Sequence, residues 1–316
     1  MIDPLSRRDL IRNTGVLAIV MTLPRFLRAD APAMEAGSTF EAMPGDDTDQ
    51  TRLADWTTAL RYDRAALATM SPGLRAVRVG ELAIGTPYEA ASLEAYLREG
   101  GDPAGVEPMA LSLTRFDCVT LVESCLAVAR LADDRATPTW PRFAREVERM
   151  RYRGGKRRGY ASRLHYFSEW ITDGARRGLV RDMARDLGGV VDARPLRFMT
   201  EHRGSYPALS NDPVFKEIAA IERRLDCCPR RFVPAARIPF VVDRIQTGDV
   251  LAFTTSIPGL DVSHAAFAHR DEGGTLRVLH APLSGGAVEV TRATLPEYVA
   301  NIRRATGILV ARPLNA

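Results

Sequence analysis

Cys118 lies in the run Arg115-Phe116-Asp117-Cys118-Val119-Thr120-Leu121-Val122-Glu123, where a thiol and the signal for a helix start coincide. Thiolate is the nucleophilic form of cysteine, and the free N–H groups and positive dipole end of a helix favour it. Asp117 is a good N-cap residue and an apolar stretch follows directly, so the sequence predicts a helix that opens with Cys118. Far downstream, His264 and His280 fall in strand-like segments and could supply a base and a residue to orient it. A cysteine and a histidine distant in sequence but adjacent in the fold make a candidate nucleophile pair. His264 shares a strand face with Ala266 and Ala268, whereas His269 is an odd number of residues away and faces the other side. His280 shares a face with Val278 on the next strand and can approach His264 across the hairpin.

The elements that must position these groups change character along the chain. Leu53, Trp56, Leu60 and Leu67 recur at helical spacing from Thr51, and a second short helix is expected from Leu74 to Ile84, ended by Gly85-Thr86-Pro87-Tyr88. The helix after Cys118 is apolar on most faces, which marks it as buried in the centre of a domain. Residues 133–245 read as mostly helical, most clearly Leu164 to Leu179 and Pro213 to Leu225. The period then becomes two, with strands expected at 249–254, 262–269, 276–281, 287–290 and 307–312 and a hairpin turn at Asp271-Glu272-Gly273-Gly274. Helices first and short antiparallel strands later argue for an α+β fold.

At 316 residues the chain can bury a large core. Its net charge of +4 does not suggest a nucleic-acid binder. Ser6-Arg7-Arg8-Asp9-Leu10-Ile11 resembles a twin-arginine export motif, followed by an apolar stretch from Gly15 to Leu23 and a small-residue region ending near Ala33. That stretch is too short to span a bilayer. The expectation is an export signal over 1–33, a Gly- and Pro-rich linker over 34–50, and a folded unit over 51–316 with 133–245 as an insertion. The product is expected to be periplasmic or secreted, without stable membrane insertion once the signal is removed. Cys125 reads as a buried thiol, and the adjacent Cys227 and Cys228 cannot easily bond each other. No Cys-x-x-Cys or His-Glu-x-x-His pattern occurs, so neither a metal site nor a cofactor is expected.

Gly85-Thr86-Pro87-Tyr88, Phe116-Asp117-Cys118, Gly248-Asp249-Val250-Leu251-Ala252-Phe253 and His264 resemble the NlpC-type cell-wall peptidase superfamily, whose members look like a pared-down papain. Asp117-Cys118-Val119-Thr120, the segment Arg163 to Trp170, Phe253-Thr254-Thr255 leading to Ser263-His264, and Leu279-His280-Ala281 resemble one branch of it. That branch is the N-acetylmuramoyl-L-alanine amidase-like family, long catalogued as a domain of unknown function. Val119-Thr120 replaces the superfamily's usual Ser-Gly after the nucleophile, which fits the branch.

The resemblance implies a papain-like core, with the nucleophile at the N-terminus of a buried helix packed on an antiparallel sheet, and a large mostly helical insertion. It implies Cys118 as nucleophile, His264 as general base and later acid, His280 as the residue that orients His264, and the Tyr88 hydroxyl as an oxyanion donor beside the Cys118 N–H. On the substrate side it points to Arg163, His165, Tyr166, Asp117 and Ser263, with peptidoglycan or a muropeptide as partner. Arg151, Arg153, Lys156, Arg157 and Arg158 read as a solvated basic loop, while Arg163 sits inside the matching motif. Glu123, among apolar residues, needs a buried partner, expected to be an arginine. The leading expectation is a muropeptide amidase. Its rivals are an endopeptidase cutting inside the stem peptide and a non-catalytic peptidoglycan-binding protein, with a zinc protein a distant fourth.

Overall fold

A computed structural model describes residues 47–282 and 286–315; the expected export signal and most of the expected linker lie outside these residues. The longer helices and the strands run in the order α1 (Asp47–Arg61), α2 (Pro72–Leu82), α3 (Cys118–Asp133), α4 (Trp140–Arg151), α5 (Phe167–Arg176), β1 (Val180–Asp182), β2 (Val190–Asp192), α6 (Asp212–Asp226), β3 (Arg230–Pro234), β4 (Val250–Thr255), β5 (Val262–Arg270), β6 (Leu276–His280), β7 (Glu289–Val290), α7 (Leu295–Asn301) and β8 (Ala305–Pro313). This is an α+β arrangement. α1 begins inside the stretch read as linker, because Asp47 and Asp49 suit a first helical turn and buried Asp49 accepts the Leu113 N–H at 2.6 Å.

Eight strands form one sheet in the order β2-β3-β8-β4-β5-β6-β7, with β1 also paired to β8, and every pairing of named strands is antiparallel. One sheet face, with Val250, Ala252, Ala265, Phe267, Leu279 and Leu309, packs against α1 to α5 in the main core. The other face, with Leu251, Phe253, Ala266, Val278 and Val310, is covered by Ile238, Val241 and, from α7, Leu295 and Val299. α2 approaches the sheet closely at Gly248 (φ +91°), where a Cβ would fall 2.0 Å from the Gly73 carbonyl carbon, so the contact requires glycine at this turn.

Two expectations need correction. Residues 133–245 are not only helical: β1, β2 and β3 extend the sheet beyond β8. The helix expected from Leu164 begins at Phe167. Arg163 makes a β-bridge to Tyr152 and the Leu164 N–H bonds the Arg151 carbonyl at 2.9 Å, so tertiary backbone pairing holds 163–166 extended against helix propensity. This region also builds a third core, with Tyr160, Leu196, Phe198, Met199, Tyr206, Leu209 and Ile218, above the sheet end that carries His264.

Candidate active site

Local chemistry places Cys118. The Asp117 carboxylate accepts the Val119 and Thr120 N–H groups at 3.0 and 2.7 Å, and Thr120 Oγ1 accepts the Asp117 N–H at 2.8 Å, a complete capping box. Helix α3 therefore starts at Cys118, and the rest of it runs through the main core. The thiol is 5% exposed. Burial and then the Asp117 charge push it up to about 12, against the pull of the Ala265, Cys118 and Val119 N–H groups. The helix start alone predicted a lowered thiol; desolvation outweighs the dipole in the closed cavity.

His264 stands near the start of β5 and His280 at the end of β6. His264 Nε2 lies 2.8 Å from His280 Nδ1. The rings meet edge to face, and Phe253 stacks on His264. Burial pulls both imidazoles down, His264 to about 3 and His280 to about 4, and the neighbouring His280 adds to the effect on His264. Both are therefore neutral at pH 7. With Nε2 of His264 engaged by His280, Nδ1 is the nitrogen left to serve the cavity.

That cavity, about 60 Å³, is lined by Asp117, Cys118, Arg163, His165, Tyr166, Ser263 and His264, with Phe198, Met199, Tyr206 and Leu260 of the third core as its outer wall. The structure thus brings together six of the sequence-selected residues with Cys118. His280 lies behind His264. Tyr88 is tied beside the run that carries Cys118 by a β-bridge to Phe116; burial, then the Cys118 and Asp117 charges, raise its hydroxyl above the ordinary tyrosine range. His269 serves elsewhere, bonding Glu81 at 2.9 Å. A larger cleft of about 450 Å³ on the other side of α5 is rich in arginine but contains neither Cys118 nor either histidine.

The wall residues are held by long-range polar pairs. Arg163 is buried, with Nη2 2.5 Å from Glu94 Oε1, Nε 3.3 Å from Glu107 Oε1, and its guanidinium over the Tyr160 ring; Nη1 is buried without a hydrogen-bond partner. His165 Nε2 lies 3.0 Å from the Tyr160 carbonyl. Tyr166 donates its hydroxyl to Glu222 at 2.6 Å, so its ring rather than its hydroxyl is offered to the cavity. His165 and Tyr166 precede α5 instead of lying on it. Glu123 does find an arginine, Arg151, at 2.7 Å, and Arg153 grips Glu169 through two hydrogen bonds. Arg151 is thus a buried partner, not part of a solvated loop.

Sequence reasoning missed Glu94, Glu107, Glu289 and Tyr298. The Tyr298 hydroxyl lies 3.1 Å from His280 Nδ1, and Glu289 Oε1 lies 3.6 Å from His280 Nε2. The capping box Thr294-Leu295-Pro296-Glu297 gives the helix carrying Tyr298 a readable start, but nothing in the sequence gives its aim. All four cysteines are free; Cys118 and Cys125 are buried, Cys227 and Cys228 exposed. Among the described residues no cluster of three or more His, Cys, Asp or Glu could hold a metal ion, and no helix is long and apolar enough to cross a membrane.

Comparison with known proteins bears on this arrangement. Residues 78–308 match the profile of the AmiA-like family, described as N-acetylmuramoyl-L-alanine amidase-like. No curated protein matches the chain. Among solved structures, an N-acetylmuramoyl-L-alanine amidase from Bacteroides uniformis is 29% identical, with 77% of this chain and 99% of that one covered at a TM-score of 0.69. A Bacteroides fragilis protein with a provisional xylanase name is 34% identical, with 74% and 99% covered at a TM-score of 0.67. A Legionella pneumophila protein at 19% identity, with 83% and 95% covered and a TM-score of 0.57, shares the fold. By its matched span of well over half its length, the chain belongs to the N-acetylmuramoyl-L-alanine amidase-like family.

Proposed function

We propose that this protein is a papain-like cysteine amidase that hydrolyses the bond between N-acetylmuramic acid and L-alanine in peptidoglycan fragments. The observation that carries the reading is the 2.8 Å contact of His264 Nε2 with His280 Nδ1, beside a thiol at the head of a buried helix in the same cavity. Kinship to an amidase-named structure supports the choice of bond.

The reaction starts from neutral partners. With the thiol near 12 and His264 near 3, a resting thiolate–imidazolium pair is disfavoured. His264 Nδ1 therefore takes the thiol proton as sulfur attacks the lactyl carbonyl, and the new imidazolium is stabilised through Nε2–H donated to His280. The Cys118 N–H at the helix start and the Tyr88 hydroxyl stabilise the oxyanion. His264 then gives its proton to the departing L-alanine nitrogen, so the peptide leaves first. The lactyl group, with its sugar, stays on sulfur as a thioester until water, deprotonated by His264, releases it. Arg163, through its unpartnered Nη1, binds a substrate carboxylate. His165, the Tyr166 ring, Asp117 and Ser263 shape the site around the scissile bond. The enzyme acts outside the cytoplasm, exported by a twin-arginine signal over 1–33, and 133–245 is an insertion in one catalytic domain.

The test is mass spectrometry of products from a defined N-acetylmuramoyl-tripeptide, with Cys118→Ala as control. Release of the whole tripeptide, absent in the control, is expected. A shortened peptide makes the protein an endopeptidase, and an untouched substrate makes it a binding protein. Sugar release from xylan that survives Cys118→Ala makes it a glycosidase. The carboxylates lining the cavity argue against that outcome: Asp117 caps α3, Glu123 pairs with Arg151, and Asp261 accepts the Ser168 N–H at 2.8 Å.

A further inference from the structure

His280 can orient His264 only in one of its two neutral tautomers. With the proton on His280 Nε2, Nδ1 is a lone pair that accepts Nε2–H from His264, and His264 Nδ1 is left as the base. With the proton on His280 Nδ1, that N–H donates to His264 Nε2, the His264 proton moves to Nδ1, and the base is lost. The 2.8 Å contact itself fits either arrangement.

Of the two other polar neighbours of the His280 ring, Glu289 breaks this symmetry. Nε2 is buried without a hydrogen-bond partner, and Glu289 Oε1, an acceptor-only group when ionised, lies 3.6 Å away. The two residues sit directly opposite each other on β6 and β7, so backbone pairing fixes their approach. A lone pair on Nε2 would face the negative carboxylate, whereas N–H on Nε2 is attracted to it. At the other end of the ring, Tyr298 Oη lies 3.1 Å from Nδ1, and its ring packs edge-on against both His280 and Phe253. Burial, then the Cys118 and Glu289 charges, raise this phenol, so it stays protonated and can donate to a bare Nδ1 or accept from Nδ1–H; it holds the ring without choosing the tautomer.

We infer that Glu289 and Tyr298 are positioning residues: Glu289 holds the His280 proton on Nε2, Tyr298 holds the ring in plane, and together they keep His264 Nδ1 free to take the proton of Cys118. The inference rests on the Cys118–His264–His280 roles proposed above. Glu289 does not line the cavity that holds Cys118 and His264, and its side chain is 53% exposed against 2% for His280.

The chain contains five histidines, so ring-nitrogen NMR on ¹⁵N-histidine-labelled protein reads the tautomers directly, with signals assigned by His280→Asn and His264→Asn. In the unaltered protein both His280 and His264 should carry the proton on Nε2. Glu289→Gln keeps the shape but presents either an acceptor or a donor, and should give a mixed His280 tautomer. Glu289→Asp keeps an acceptor-only group and should restore most of the original pattern. Substrate-free alkylation of Cys118 by iodoacetamide, followed on its own peptide, should slow roughly tenfold in Glu289→Gln and roughly a hundredfold in Glu289→Gln/Tyr298→Phe, with kcat falling in step and KM little changed. A His280 proton found on Nδ1 overturns the inference, as does a double variant with unaltered tautomers and alkylation rate. If the tautomers and alkylation respond while the unaltered enzyme releases no tripeptide, the positioning role stands and the amidase assignment falls.

Discussion

The head of helix α3 and the wall built by residues 133–245 both face the cavity, but they are held together in opposite ways. At the helix head the capping bonds that start α3 at Cys118 run between residues at most three positions apart, from Asp117 to Thr120. In the wall the partners are remote: Arg151 reaches Glu123 across 28 positions, Tyr166 reaches Glu222 across 56, and Arg163 reaches Glu94 across 69. Cys118 is thus placed at the helix start by a rule the chain satisfies locally. The wall exists only once the whole fold has closed, and it buries charge to do so. The proposed function puts the chemistry in the first region and substrate selection in the second, so damage to each should read out differently.

The largest separation between the two concerns stability. Glu123 and Arg151 are both almost wholly buried. Glu123→Leu leaves the Arg151 charge uncompensated and should cost about 3–5 kcal/mol in chemical denaturation, while Glu123→Leu/Arg151→Met should recover most of that loss. If the single variant is as stable as the parent, the wall is not held by its ion pairs. The pH dependence of turnover probes the chemistry side. In the mechanism proposed above the base is unprotonated His264, so activity should fall as pH drops through its pKa. A histidine at the ordinary value near 6.5 would lose roughly a hundredfold by pH 4.5, whereas His264, held down to about 3 by burial, should lose little. An acid limb of kcat/KM near 6.5, with the fold intact by circular dichroism, would mean that His264 is not desolvated when it acts.

The same contrast explains what could be read from the sequence. The cap at Asp117, the apolar faces of α3, and the short apolar runs of β4, β5 and β8 are local patterns, and each appears where expected to within a few residues. His264 and His280 could be paired because strand period and a hairpin put them on one sheet face. The wall was not legible. Leu164 to Tyr166 read as helix, yet the backbone of Arg163 and Leu164 pairs with Tyr152 and Arg151, a competition no window of sequence contains. The partner of Glu123 was readable as an arginine from charge balance alone, but not which one. The thiol shows the same limit: proximity to a helix start is a sequence fact, whereas the desolvation that outweighs it depends on the closed wall.

Arg163 offers a milder test of the division. Its Nη1 has no hydrogen-bond partner in the cavity wall, while Nη2 is held by Glu94. Arg163→Lys keeps a positive charge for Glu94 and Glu107 but loses the planar fork. Assayed on a muropeptide with free carboxylates, it should raise KM roughly tenfold and leave kcat nearly unchanged, the signature of lost uniform binding. A fall in kcat at constant KM would move Arg163 from the selecting wall to the reacting centre.

The smallest expected effect lies at the helix head, where one side chain does two things that substitution can separate. The Asp117 carboxylate caps α3 and its charge pushes the Cys118 thiol up. Asp117→Asn keeps an oxygen for the Val119 and Thr120 N–H groups and removes the charge. Loss of a nearby negative charge favours thiolate, so Cys118 alkylation at a fixed pH should quicken modestly while stability holds. Asp117→Ala removes both and should cost about 1 kcal/mol of stability in addition. Slower alkylation in Asp117→Asn would reverse the sign of the argument and show that the cap geometry, not the charge, governs the thiol.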